Sequence, residues 1–298
     1  MNNRTNFTGP VAIGGVGGSG TRVVAEILIQ LGFYMGSDLN SANDNLWFTL
    51  LFKRPEWFIK KSYEKKSEIF KRLSVFEKAM TGRLIPKIDE FNLIMRAAVE
   101  MAITGHDHLH SGRGIWPFVR ALTILRSRKH DTSGYTNWGW KEPNTHIYIE
   151  FLSKHFDNLK YIHVIRHGLD MAFSSNQAQL YNWGKLFGIP ANHSSMSLPS
   201  ASLKYWIKLN KRAITLGKTL LDKRFLIVNF DELCLNPKHE MDSILDFLGI
   251  NTKCANSDQL KLLPKLPKSA GRYKNYSLDI FSEDEIEAVK ELGFVIDK

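Results

Sequence analysis

The sequence is poor in the features that mark several protein classes. It carries two cysteines, Cys234 and Cys254, too few for a disulfide framework or a thiolate metal cluster, so a reducing compartment is the default. No apolar stretch approaches the ~18 residues that a membrane-spanning helix needs. The opening MNNRTNFTGP lacks the basic-then-apolar layout of a secretory signal, and no internal repeat or low-complexity segment is evident. The expectation is a soluble cytoplasmic protein that can still work at a membrane face. Acidic residues are the minority: 40 Lys and Arg against 30 Asp and Glu give a net charge of +10, which favours anionic ligands. A nucleic-acid partner is not expected, and the oligomeric state is open. With 298 residues the chain suits one large α/β domain carrying a helical insertion.

What is abundant is glycine in one place. In VAIGGVGGSGTRVVAEILIQL, Val11 to Leu31, five glycines fall within the seven positions Gly14 to Gly20. A short apolar run precedes them, and a 3.6-period apolar pattern (Val23, Val24, Ile27, Leu28, Leu31) follows Thr21. The pattern reads as strand, tight loop and helix. Glycine takes positive φ at little cost and has no Cβ to block a ligand, so the loop N–H groups and the helix N-terminus form an anion site. The ATP- and GTP-type loop requires a lysine where Thr21 stands, so the cation that would hold a β/γ-phosphate pair is missing. Gly15 to Gly20 meets the dinucleotide spacing formally, but no acid sits clearly at the required distance.

Further along, Phe33 to Met35 suits an edge strand before a polar loop, Gly36 to Asp44. From Leu46 to Lys129 aromatic and leucine positions recur at helical spacing, which predicts an all-helical insertion over about 46–130. His106, His108 and His110 alternate there without acidic or thiolate neighbours at metal-ligand spacing, so no metal site is expected. Trp138 to Lys141 reads as a strand with a helix starting near Pro143, and Leu159 to Ile165 as a strand with a helix starting near Asp170. Ser200 to Leu221 reads as a long amphipathic helix, Phe225 to Phe230 as a strand, and Pro237 to Leu248 as a helix stopped by Gly249. Strands alternating with helices argue an α/β fold: a P-loop-like parallel sheet flanked by helices. The basic tail Thr252 to Ser277 reads as a loop packing back over the site, and Ser282 with Glu285 as a capping box.

Arg166 leaves the C-terminal end of a strand in YIHVIRHGLDMAFS, with Ser174 eight residues later in the following helix. A guanidinium and a hydroxyl so placed can share one phosphate. With the glycine loop, FLIVNFDELCLNPKHEMDSILDFLG (Phe225 to Gly249) and Ser269 to Asn275, the order and spacing resemble the sulfotransferase family, whose donor is 3′-phosphoadenosine 5′-phosphosulfate. The resemblance covers Val11 to Leu31 and Trp138 to Asn275, not the insertion. It implies that the loop Gly17, Gly18, Ser19, Gly20, Thr21 and Arg22 holds the 5′-phosphosulfate and that Arg166 and Ser174 hold the 3′-phosphate. It implies that Gly271, Arg272, Tyr273 and Lys274 form the C-terminal element closing over the nucleotide, with tyrosine for the usual tryptophan. Asp231 to Leu233 matches a structural region of the family.

The chain departs from the family at Gly18, where many members carry the Lys or Arg that stabilises the departing oxygen. Lys141, which looks like the strand lysine of the protein-tyrosine branch, and Arg22 are the available replacements. An arginine near a helix N-terminus calls for an anionic partner. Sulfuryl transfer needs in-line positioning and charge stabilisation but no metal in principle. It also needs a general base within reach of the acceptor hydroxyl. Asp44 is the leading candidate by its place after the first βαβ step, Glu142 next, with Asp38 and the histidines behind. The resulting expectation is a metal-independent sulfotransferase acting on a hydroxyl of a glycan or small metabolite and releasing adenosine 3′,5′-bisphosphate. The alternatives are a nucleotide kinase or similar phosphoryl transferase, and a nucleotide-binding protein without transfer activity.

Overall fold

The computed structural model describes residues 9–64, 66–129, 134–135, 137–189, 197–251 and 257–297. Cys254, the opening segment 1–8, the stretch 190–196 and the start of the basic tail, 252–256, lie outside the described residues. Five parallel strands, β1 (Val11–Gly15), β2 (Phe33–Tyr34), β3 (Asn137–Lys141), β4 (Lys160–Ile165) and β5 (Phe225–Asn229), form one sheet in the order β2-β3-β1-β4-β5. The α/β parallel sheet expected from the alternation is present, and β2 takes its edge.

Both faces of the sheet are covered, so the central strands are mostly buried and their side chains divide by the two-residue period of a strand. Val11 and Ile13 point into one core, and Ala12 into the other. On the first face lie α1 (Thr21–Gln30) and, later in the chain, two helices spanning Phe230–Leu235 and Pro237–Leu248. Between β2 and β3 come α2 (Leu46–Phe52), α3 (Pro55–Glu64), α4 (Lys66–Met80), α5 (Ile88–Thr104) and α6 (Trp116–Leu125). They join the second core with Trp140, α7 (Ile149–His155), α8 (Gly168–Ala172), α9 (Ala178–Trp183) and the long α10 (Leu198–Leu221). A fully buried arginine, Arg72, ties the insertion together: it donates to the Leu51 carbonyl at 2.9 Å, pairs with Glu68 at 3.0 Å and lies 3.9 Å over Trp57.

Two local expectations change. Pro143 opens a 3₁₀ segment, Pro143–Tyr148, and the α-helix starts only at Ile149. The Glu142 carboxylate caps that tighter turn, accepting the Asn144 N–H at 2.7 Å. Ser174 is not in the helix after β4, because α8 ends at Ala172. The Gln177 side-chain amide takes the carbonyls of Met171, Ala172 and Ser174, and Ser202 of α10 donates to Gln177 at 2.7 Å, so the chain turns away. The Ser282–Glu285 capping box is formed at the start of the last helix, Glu283–Glu291.

Candidate functional site

β1 sits where the chain's crossovers diverge, with β3 and β2 on one side and β4 and β5 on the other. Ligands of open α/β sheets bind beyond the strand ends at such a point. A cleft of about 420 Å³ opens there, lined by the loop residues Gly17, Gly18, Gly20, Thr21 and Arg22. Gly20 caps α1 in the left-handed region with φ 92°, and a Cβ there would fall 2.0 Å from the Phe230 ring. Only glycine fits. Because the cap has no side chain and the first turn has no acid, the orphan N–H groups at the start of α1 remain available to an anion. Gly18 also has φ 92°, but a Cβ there would meet only Met171 at 3.5 Å. At this position the obstacle to a lysine is backbone conformation, not space.

Four cations, Arg22, Lys53, Lys141 and Arg166, face this cleft. Arg166 is 6% exposed; it donates to the Gly18 carbonyl at 3.3 Å and to the Ser269 hydroxyl at 2.9 Å, and its buried Nε has no hydrogen-bond partner among the described residues. Desolvation lowers its pKa, opposed by the nearby Asp231 and Asp170 carboxylates, and Arg272 adds like-charge pressure. A guanidinium held against a glycine loop with an unsatisfied donor fits an anion. Arg22 is exposed and makes no ion pair among the described residues. Lys141, 2% exposed, pairs with Asp44 at 2.5 Å and donates to the Ala42 carbonyl at 2.9 Å. Lys53, at the C-terminal cap of α2, is less committed: its ammonium lies 4.0 Å from Glu142. Nothing in the motif spacing singles out Lys53, because it sits on the insertion.

The two candidate bases differ in setting. Asp44 holds Lys141 with one oxygen and accepts from the Asn40 amide at 2.9 Å with the other, at the cleft edge. Glu142 is 1% exposed, its oxygens taken by the backbone and side chain of Asn144. Burial raises its pKa, opposed by Lys53 and reinforced by Asp44. Asp38 faces the insertion, accepting from Thr123 at 2.8 Å and pairing with Arg120 at 3.3 Å.

Other expected site residues are placed around the cleft but do not line it. The Ser19 hydroxyl is buried beneath the loop without a hydrogen-bond partner. The Ser174 hydroxyl accepts from the Asn176 N–H at 3.2 Å. The 271–274 element is pinned beside α8: both Asp170 oxygens receive its backbone, from Gly271 at 2.8 Å and Tyr273 at 3.1 Å. Arg272 reaches the Phe173 carbonyl at 3.4 Å, and Lys274 faces Asp297 at 3.7 Å. Tyr273 is buried, stacked on His167 at 4.6 Å and 17°. The tail does return over the site where Pro267 lines the cleft and Ser269 meets Arg166.

A second cavity of about 400 Å³ adjoins the first, since Asn182 of α9 lines both. His106, His108 and His110 lie around it. His108 is held by the Asn182 side-chain oxygen, which accepts its backbone N–H at 2.7 Å, and its ring stacks on Tyr181 at 4.7 Å. Burial, then the nearby Lys53, pushes the His106 pKa down to about 4, so its ring is neutral at pH 7.

A parallel sheet with an uncapped helix N-terminus and four cations around the cleft at its strand ends defines an α/β protein whose cleft has the chemistry to accept an anion. The model of the Sulfotransferase family matches residues 10–253, and the chain belongs to that family: it is a sulfotransferase. Among solved structures, the sulfotransferase domain from the curacin biosynthetic pathway is similar in fold, with 15% identity and a TM-score of 0.50 over 97% of this chain and 99% of that one. The sulfotransferase domain of the Synechococcus PCC 7002 olefin synthase also matches, at 15% identity and a TM-score of 0.48 over 100% of both chains. The sulfotransferase STF9 from Mycobacterium avium matches at 13% identity and a TM-score of 0.46 over 97% of this chain and 76% of that one. No curated protein sequence matches the chain.

Proposed function

We propose that this sulfotransferase draws its sulfuryl group from 3′-phosphoadenosine 5′-phosphosulfate and delivers it to a hydroxyl of a glycan or small metabolite, in the cytoplasm and without a metal. The observation that carries the donor assignment is the junction of an uncapped α1 N-terminus with Arg166, whose buried Nε is free beside Gly18. The donor supplies an activated sulfuryl group with a bisphosphate leaving group. In this reading the loop from Gly17 to Arg22 takes the 5′ end, while Arg166 neutralises the 3′-phosphate with Ser174 beside it. The element from Gly271 to Lys274, anchored on Asp170, holds the nucleotide side of the cleft closed.

Asp44 is the favoured base, because its carboxylate lies at the edge of the cleft and is oriented by Lys141, whereas Glu142 is spent on Asn144. Asp44 takes the hydroxyl proton as the acceptor oxygen bonds to sulfur and the bond from sulfur to the bridging oxygen breaks. With Gly18 in place of a basic residue and Lys141 held by Asp44, we assign Lys53, rather than the exposed Arg22, to meet the charge that develops on the departing oxygen, because its ammonium lies beside Glu142 where β3 ends. Titration calorimetry tests the donor assignment. Adenosine 3′,5′-bisphosphate should bind without Mg²⁺ while ATP gives no response; the reverse result would favour a phosphoryl transferase and sink this reading.

A further inference from the structure

The insertion turns apolar side chains outward as well as inward. On α5 the buried face is Leu93, Ile94, Ala97, Ala98 and Met101. Ile88, Phe91, Val99 and Ile103 of the same helix are exposed, Ile88 at 72% and Ile103 at 67%. α6 packs directly on α5 and continues the feature with Ile115, 78% exposed, Val119 and Leu122. Contiguous exposed apolar surface of this kind marks an interaction site more often than a solvated face.

Charge identifies the partner. Arg96, Arg113, Arg126, Arg128 and Lys129 border the same two helices, all exposed and without an ion pair among the described residues. The acids of the region are mostly engaged elsewhere: Glu90 with Lys78 at 2.7 Å, Glu100 with Arg54 at 2.6 Å, and Asp107 with the backbone N–H groups of Leu109 and Ser111. Asp89 alone is an exposed acid of α5. Two copies of this face would bring unneutralised cations together, which disfavours self-association. An apolar stripe rimmed by Lys and Arg instead has the character of a helix lying in the interface of a bilayer with anionic headgroups.

We propose that the α5–α6 face seats this protein on an anionic membrane surface. The seating has a consequence for the acceptor that rests on the reading of the preceding subsection. The second cavity is lined by Ile103 of this face and by Arg113 of its rim, and it meets the donor cleft at Asn182. Its mouth therefore lies at the lipid surface, and the matching acceptor is a hydroxyl on an amphiphile whose apolar part stays in the bilayer.

Co-sedimentation with large vesicles tests the docking. The protein should pellet with phosphatidylcholine vesicles containing about 30 mol% phosphatidylserine at about 0.1 M salt, should not pellet with pure phosphatidylcholine, and should be released by higher salt. Val119→Glu/Leu122→Glu and, separately, Arg96→Glu/Arg126→Glu should each weaken binding by at least about tenfold, since each removes one of the two attractions. All four side chains are exposed and outside both cavities, so bisphosphate binding, measured on the same samples, should be unchanged and reports that the variants are folded. Failure of the wild type to pellet with anionic vesicles overturns the proposal. So does wild-type affinity in the Val119/Leu122 variant, which would reduce binding to net charge, or a dimer in ultracentrifugation that this variant dissociates. Vesicle binding without bisphosphate binding would leave the docking standing and overturn the donor assignment instead.

Discussion

Lys141 and Asp44 couple strand β3 to the polar loop after β2, and the pair can be taken apart one charge at a time. Lys141 is 2% exposed, and its ammonium has two partners, the Asp44 carboxylate at 2.5 Å and the Ala42 carbonyl at 2.9 Å. Removing one member of a fully buried pair costs about 3–5 kcal/mol, because the survivor keeps its desolvation penalty without its Coulombic return. The Asp44 side chain is 18% exposed, and water recovers part of that loss. Asp44→Asn and Lys141→Met should therefore each cost about 2–4 kcal/mol. The double variant removes both charges and strands neither. It should be more stable than the sum of the single losses predicts, with a coupling of about 1–3 kcal/mol. Urea unfolding of the four proteins in the absence of nucleotide measures this, provided the slopes stay constant across the set. Single effects that add to within about 0.5 kcal/mol would show that the pair is not coupled and would refute the reasoning. In the same set, Asp44→Asn should retain bisphosphate binding while losing sulfuryl transfer if Asp44 is the base.

Three further outcomes are expected. Arg166→Met should weaken adenosine 3′,5′-bisphosphate binding by roughly 10- to 150-fold in calorimetry, the equivalent of about 1.5–3 kcal/mol for charge-assisted hydrogen bonds; unchanged affinity would remove Arg166 from the donor site. Lys53→Met should slow sulfuryl transfer by about 10²-fold or more while changing bisphosphate affinity by less than about threefold, with Lys53→Arg partly restoring the rate; equal losses in both would assign Lys53 to binding alone. His163 is fully buried, its Nε2 facing the Asn210 side-chain oxygen at 2.8 Å, and burial holds its pKa down to about 4 from an ordinary 6.5. The unfolded chain therefore takes up this proton first. Stability should be level above about pH 6.5 and fall by about 3 kcal/mol as the pH drops towards about 4. His163→Gln should flatten part of that slope in urea midpoints, and an undiminished slope would assign it to other groups.

Much of the fold was legible because its elements answer to local rules. The strands were readable from apolar runs bounded by glycine and proline, and the first helix from its period and the glycines before it. The Ser282–Glu285 box needs only three residues' separation. The end of α8 is different in kind: it depends on the Gln177 amide, locked from α10 by Ser202, and these groups meet only when the chain has packed. Ser174 therefore lies just beyond α8 and not inside it. Lys53 was missed for a related reason. It belongs to the insertion, where the text shows helical core, and only packing of α2 against the end of β3 brings its ammonium to Glu142.

The sequence by itself determined the glycine loop and the helix that follows it. Glycines that take positive φ at little cost, followed at once by a helix without a capping side chain, leave the N–H groups of its first turn without a side-chain partner. It also determined that the Gly18 position carries no cation. Tertiary structure decided the setting of the distant charges around that loop. It tied Lys141 to Asp44, left Lys53 with a partner 4.0 Å away, set Arg166 against the loop and buried Tyr273 on His167. The reason is physical: backbone conformation is a property of a few consecutive residues, whereas the state of a charge depends on every group that packing places within a few ångströms of it.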